Sequence, residues 1–207
     1  MKKLVVSIAV FVSSLTILAQ QSSKKRHGSL TVNGKTITID LNEYEAFRDS
    51  IIKIHPDTLQ IRFVKLLNKY RVSNSLNVLV VNSKNSKAAD YISNLNLNLV
   101  YTQKLKLAHT VPTIGYETFD KRLAVFGLVK NFNASGECLL STSIFFEYYY
   151  VKLNKISFEQ AILNTWIQSP GHNIILLKPN AIQIGFSYKH HDVTDYRVDG
   201  IGAIVIN

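Results

Sequence analysis

The sequence predicts an α+β fold, with helices and sheet layered around one core. Three observations predict it. Helical spacing and strand alternation are interspersed along the chain instead of being segregated. The last two apolar segments, 181–189 and 196–206, alternate as strands on either side of a short polar loop, so they should pair antiparallel. The length is 207 residues, with 46% hydrophobic and 18% charged content. That gives one sizeable core plus a short extension and excludes a mainly disordered chain.

Taken in order, residues 1–19 read as an export signal. Lys2 and Lys3 form a basic start, Leu4 to Leu18 an apolar run, and Ala19 a small residue at a cleavage point. The rival reading is an uncleaved anchor, but the run is short for a span. No cysteine lies near Ala19, which argues against a lipid-anchored lipoprotein. Residues 20–28 are polar and read as a disordered linker, and residues 29–55 as a hairpin-helix extension. Leu30, Val32, Ile37 and Ile39 alternate around Asn33-Gly34, a dipeptide that tolerates the positive φ of a tight hairpin. Asn42 is read as the cap of a helix reaching about residue 54. His55-Pro56-Asp57 breaks that helix, because the residue before proline is pushed out of the helical region.

The main domain is placed at 56–207. A helix from about Asp57 to Tyr70 has Leu59, Phe63, Leu66, Leu67 and Tyr70 at helical spacing. An apolar stretch follows at Leu76 to Val81, then a helix over about Ser83–Leu95. Residues 96–108 read as irregular. Thr118 caps a short helix that Gly127 stops. Phe145 to Val151 fits helix and strand equally by periodicity. Ser157, with Gln160 three residues on, forms a capping box for a helix over about 158–168.

The formal charge is +10; without Lys2 and Lys3 the balance is 22 basic against 14 acidic residues, or +8. Such a surplus favours acidic surfaces, among them anionic lipid, polyanionic glycan and nucleic acid, of which export disfavours nucleic acid most. The basic residues are scattered except for Lys24-Lys25-Arg26, so the charge reads mainly as a solvated surface, and the partners expected at a cleft are an anionic lipid, glycan or peptide and no nucleic acid. Signal cleavage would leave no stable membrane span. One cysteine, Cys138, rules out an internal disulfide, so the core alone must hold the fold.

Three residues carry candidate chemistry. His172 follows Ser169-Pro170-Gly171, where Pro ends a helix and Gly permits a tight turn. An imidazole presented there can bind a metal or move a proton, or it can be a structural histidine bonded to backbone. Glu137 follows Ser135-Gly136; it reads either as a carboxylate that orients an imidazole or acts as a base, or as a first-turn helix acid. His109 alone carries little information.

Several stretches together resemble one family. They are Leu67-Asn68-Lys69-Tyr70-Arg71, Ala88-Ala89-Asp90-Tyr91 and Ala108-His109-Thr110, then Phe119-Asp120-Lys121-Arg122-Leu123 with Phe126-Gly127. Gly136-Glu137-Cys138, Trp166-Ile167-Gln168-Ser169-Pro170-Gly171-His172 and Ile182 to Tyr188 with Gly185 complete the set. In order and spacing the chain resembles the CAP superfamily, also called SCP-like proteins (cysteine-rich secretory, antigen 5 and pathogenesis-related), in its bacterial branch. The resemblance covers about residues 58–206. It implies a three-layer α-β-α sandwich with a central cleft lined by His109, Glu137 and His172. In some members the cleft histidines hold a divalent metal such as zinc; two imidazoles and a carboxylate suit that ion with a position open for water. The sequence departs from the family at Cys138, where Asn is usual. A second cleft glutamate is not evident, and Ser169 lies near where it would fall.

Other groups have plainer readings. His190, His191 and Asp192 have ligand chemistry but sit in a polar loop. Cys138 is a nucleophile or, beside Leu139 and Leu140, an inert buried thiol. Tyr148-Tyr149-Tyr150 is a glycan-stacking surface or aromatic packing. Three functions follow. One is an exported (periplasmic or extracellular) module whose cleft binds a ligand or divalent metal. Another is a metal-dependent hydrolase or peptidase, with His109 and His172 on the metal and Glu137 as the catalytic residue that orients or deprotonates the attacking water. The last is a structural role at the cell envelope.

Overall fold

The structure, a computed structural model, describes residues 26–32, 35–194 and 197–207. The export signal, most of the linker and the Asn33-Gly34 turn lie outside the described residues. The chain divides into two compact units, one up to Asp49 and one from Ser50 to Asn207.

In the first unit β1 (His27–Val32) and β2 (Lys35–Asp40) pair antiparallel, from His27↔Asp40 to Val32↔Lys35. The next element, α1 (Leu41–Ile52), starts in this unit. Its cap is Asp40 rather than the expected Asn42: Asp40 Oδ1 accepts from Asn42 N at 2.9 Å and from Glu43 N at 3.3 Å. A carboxylate at the cap position satisfies the orphan amides of the first turn, which an amide side chain two positions later, already inside the helix, does not.

The second unit is a sheet between two helical layers. Helices α2 (Pro56–Ser73), α3 (Ser83–Leu97) and α4 (Phe119–Val125) precede the strand β4 (Gly136–Ser143). Then come α5 (Ile144–Asn154), α6 (Phe158–Gln168), α7 (Pro170–Leu176), β5 (Gln183–Thr194) and β6 (Arg197–Ile206). With β3 (Val80–Val81), the strands lie in the order β3-β5-β6-β4. β3 runs parallel to β5, and the β5–β6 and β4–β6 pairs are antiparallel.

Register sorts the side chains onto two faces. Cys138, Ile204 and Phe186 share a row, and Phe186 stacks on Phe63 of α2 at 4.2 Å and meets Trp166 of α6 edge-on at 6.3 Å. Leu139, Ala203 and Val205 face the other way, in a cluster with Ala88, Ala89 and Ile92 of α3 and Leu123 of α4. The result is the three-layer α-β-α sandwich, with α2 and α6 on one side and α3 and α4 on the other. Gly185 sets the closeness of α3. A Cβ there would lie 2.1 Å from the backbone of Asn85 and Ser86, which cannot swing aside as a side chain can. Gly185→Ala is expected to cost about 1–3 kcal/mol of stability, read as a lower urea midpoint with an unchanged slope.

Two open readings are decided and several expectations corrected. Phe145–Val151 belongs to the helix α5, and Gly136–Ser143 is a strand, so Glu137 is not a first-turn helix acid. The first four residues of β4 are all buried, so the strand shows little alternation. The segment after His172 is the helix α7, with Pro170 at its first position. Gly171 is helical and makes no tight turn. Residues 96–108 are partly helical: α3 continues to Leu97 and a π-helical turn follows at Asn98–Thr102. His190, His191 and Asp192 lie within β5 and not in a loop. The capping box at Ser157 is half formed. Ser157 Oγ accepts from Gln160 N at 3.2 Å, but the Gln160 side chain donates to Asn164 instead.

Candidate functional site

Glu137 is the second residue of β4 and faces the α3–α4 layer. Its side chain is only 3% exposed. A buried carboxylate needs a partner, and Arg122 of α4, 2% exposed, supplies it. Arg122 Nη2 donates to Glu137 Oε1 at 2.7 Å and Nε to Oε2 at 3.2 Å, a bidentate clamp. The rest of the guanidinium holds the neighbouring loop, with Nη1 on Tyr116 O at 2.9 Å and Nη2 on His109 O at 2.9 Å. Just before His109, Ala108 N donates to Oδ1 of the fully buried Asn96 at 3.0 Å. His109 is therefore fixed at its backbone on both sides.

The His109 ring is fixed too. Nδ1 lies 2.9 Å from Glu137 Oε1, and a carboxylate only accepts, so Nδ1 carries the proton. Nε2 then presents its lone pair on a side chain that is 51% exposed.

His172 comes from the opposite layer, in the first turn of α7. Tyr70 ties this helix to α2 through a 2.9 Å hydrogen bond to Asn173. The His172 ring is half-buried and has no hydrogen-bond partner among the described residues, so the backbone-satisfied structural role is not what the structure shows. Burial, and then a charge on His109, hold the His172 imidazolium below its ordinary value of 6.5. The ring is thus kept neutral and ready to accept or ligate. The unfolded chain takes up this proton at higher pH than the fold does. Stability is therefore full above about pH 6.5 and falls as pH drops through that value. His172→Asn should shrink the difference in urea midpoint between about pH 5 and about pH 7.5.

The structure thus gathers His109 and Glu137 into hydrogen-bond contact, and protonation of His109 would disfavour a charge on His172. Ser169 caps α7 through its backbone but makes no side-chain cap bond. The residues do not assemble a three-ligand metal centre. Glu137 has both oxygens engaged, and among the described residues no group of three or more His, Cys, Asp and Glu is placed to hold an ion. What they offer is two imidazoles. Cys138 is fully buried, its thiol pushed far up by burial and by the Glu137 charge, and its Sγ lies 3.8 Å from His172 O. It is no nucleophile. His190 and His191 are exposed on β5, and His191 stacks on Tyr101 at 5.1 Å. Tyr148 is packed inside. Sequence reasoning gave no role to Arg122 or Asn96. The signal for Arg122 was its position between Phe119 and Leu123 on a short helix, where a cation at core spacing needs a buried anion.

No protein-family model matches the sequence, and no curated protein matches it. Solved structures do. An extracellular protein containing an SCP domain from Bacillus anthracis superposes with a TM-score of 0.50 at 14% identity, over 89% of this chain and 58% of that one. An outer surface protein from Borrelia burgdorferi gives 0.46 at 17% identity, over 81% and 95%. A cysteine-rich secretory protein from Staphylococcus aureus gives 0.45 at 12% identity, over 91% and 58%. This chain spans little more than half the length of the Bacillus and Staphylococcus proteins. Among the described residues no helix is long and apolar enough to cross a membrane.

Proposed function

We propose that this chain, which has the SCP-domain fold, is an exported binding module whose cleft takes its ligand on the imidazoles of His109 and His172. A divalent cation such as zinc is the simplest such ligand. The carrying observation is the state of Glu137: buried, clamped on both oxygens by Arg122, and bonded to His109. A base for hydrolysis needs a lone pair within reach of the attacking water, and this carboxylate is buried with three of its roughly four acceptor positions taken by the protein. Glu137 is then a positioning residue that sets the tautomer and aim of His109. Export is supported by the basic-then-apolar start of the sequence and by the extracellular protein among the similar structures. The charge surplus favours acidic partners, whether anionic lipid, glycan or peptide.

The test is zinc titration by calorimetry on the chain from residue 20 onward. One equivalent should bind, and His109→Ala and His172→Ala should each abolish binding while leaving circular dichroism unchanged. Glu137→Gln should weaken binding by about 10–100-fold through loss of ring orientation. Turnover of peptide or ester substrates that Glu137→Gln abolishes would restore the hydrolase reading. Zinc binding that survives both histidine variants would remove the cleft as the site.

A further inference from the structure

We infer a second ligand site, away from the histidine cleft, with the chemistry of a neutral saccharide site. It arises from the shortness of β3. That strand pairs with β5 only over Val80–Val81, and the chain then leaves the sheet at Asn82 to begin α3. Beside the stretch of β5 that β3 leaves uncovered, between the first turns of α2 and the outer side of α3, lies a cavity of about 690 Å³. Small-molecule sites run from roughly 300 to 1,000 Å³. His109, Arg122, Glu137 and His172 do not line it.

Gln60 is the key group. It lines the cavity and is 8% exposed. Its Oε1 accepts from Phe186 N at 3.0 Å and from Ser86 Oγ at 2.8 Å. A backbone N–H can only donate, so this bond fixes which end of the amide is oxygen. The NH2 end is left with two donors and no acceptor among the described residues. This nitrogen is not closed off in the interior, so the held amide presents its two donors where a hydroxyl lodged in the cavity can accept them.

Across the cavity α3 supplies the complement. Asn94, exposed on α3, donates from Nδ2 to Asp90 O at 2.9 Å and to Asp90 Oδ2 at 3.0 Å, which leaves its Oδ1 without a donor among the described residues. Asp90 is itself held by Ser187 Oγ at 3.2 Å and Lys189 Nζ at 2.6 Å. The site thus has a preset donor and a preset acceptor, and a sugar hydroxyl is both. Leu95, Phe126 and Tyr91 give the apolar side that a pyranose ring packs on. Tyr91 is stiffened by stacking on Tyr116 at 4.3 Å. The charges at the site, Asp57 and Asp90 against Lys87 and Lys189, cancel. A phosphate or fatty-acid carboxylate would find no surplus cation, and an alkyl chain would leave Gln60 unmet.

The test is calorimetric titration of the same chain with chitotriose, cellotriose and maltotriose. At least one should bind at a single site. Asn94→Ala, which alters only an exposed face of α3, should weaken binding about three- to tenfold, and Gln60→Met by a similar factor. His172→Ala should leave it unchanged. No binding of any of the three at about 10 mM overturns the inference. So does saccharide binding that neither Asn94→Ala nor Gln60→Met weakens, or binding that His172→Ala abolishes. Decanoate bound in preference to all three sugars overturns it as well.

Discussion

Replacing Arg122 by Met should cost about 3–5 kcal/mol, a large part of the stability of a domain. The substitution keeps length and apolar bulk but leaves Glu137 buried without its cation. It also strips the donor from the carbonyls of Tyr116 and His109. Urea unfolding followed by circular dichroism reads the loss. The double variant Arg122→Met/Glu137→Leu separates cause from consequence. If an orphaned carboxylate is what destabilises Arg122→Met, the double variant should recover much of the loss, because two apolar groups can replace a buried pair. The ring of His109 would then be unheld, and zinc affinity should fall even where the fold recovers. A double variant as unstable as the single one would mean that the loop bonds matter more than the ion pair.

The other large effect is expected at Arg71, which is wholly buried in α2. Its guanidinium donates to Asn77 O at 2.9 Å, Leu176 O at 2.6 Å and Lys178 O at 3.1 Å. The last two carbonyls close the C-terminal end of α7, where a cation suits the helix dipole. Arg71→Met leaves these carbonyls buried and unpaired, at a cost of about 3 kcal/mol or more. Lys should rescue little, since an ammonium cannot present a fork to acceptors on both sides. Because α7 also carries His172, the variant should weaken zinc binding in the fraction that remains folded. A loss under about 1 kcal/mol would show that the turn satisfies its own carbonyls.

How much of this was legible follows from the range of each interaction. Caps and breaks act within a turn or two, so Thr118, Ser157 and His55-Pro56 read correctly from the string. The antiparallel pairing of β5 with β6 also read through. β4 did not, because both its faces are covered at the start and its residues lose their contrast. α5 was ambiguous for a related reason: Ile144, Phe145 and Tyr148 are buried, while further aromatics fill the rest of its circumference. At the site, His109, Glu137 and His172 stood out through family likeness. The clamp did not, because an arginine fifteen positions from its carboxylate reads as surface until the fold brings the two together. The cavity beside β5 was invisible for the same reason, since it depends on where a two-residue strand ends.

The lone thiol offers a clock. Cys138 lies beneath the first turn of α7, with its sulfur against the His172 carbonyl and no surface of its own. A disulfide reagent is expected to reach it when that helix lifts away. In an otherwise cysteine-free chain, the labelling rate measures the opening of one wall of the cleft, without a mutation or a probe to disturb it. A ligand that bridges His109 and His172 should slow that rate by the same factor by which it stabilises the closed wall. Arg71→Met should quicken it.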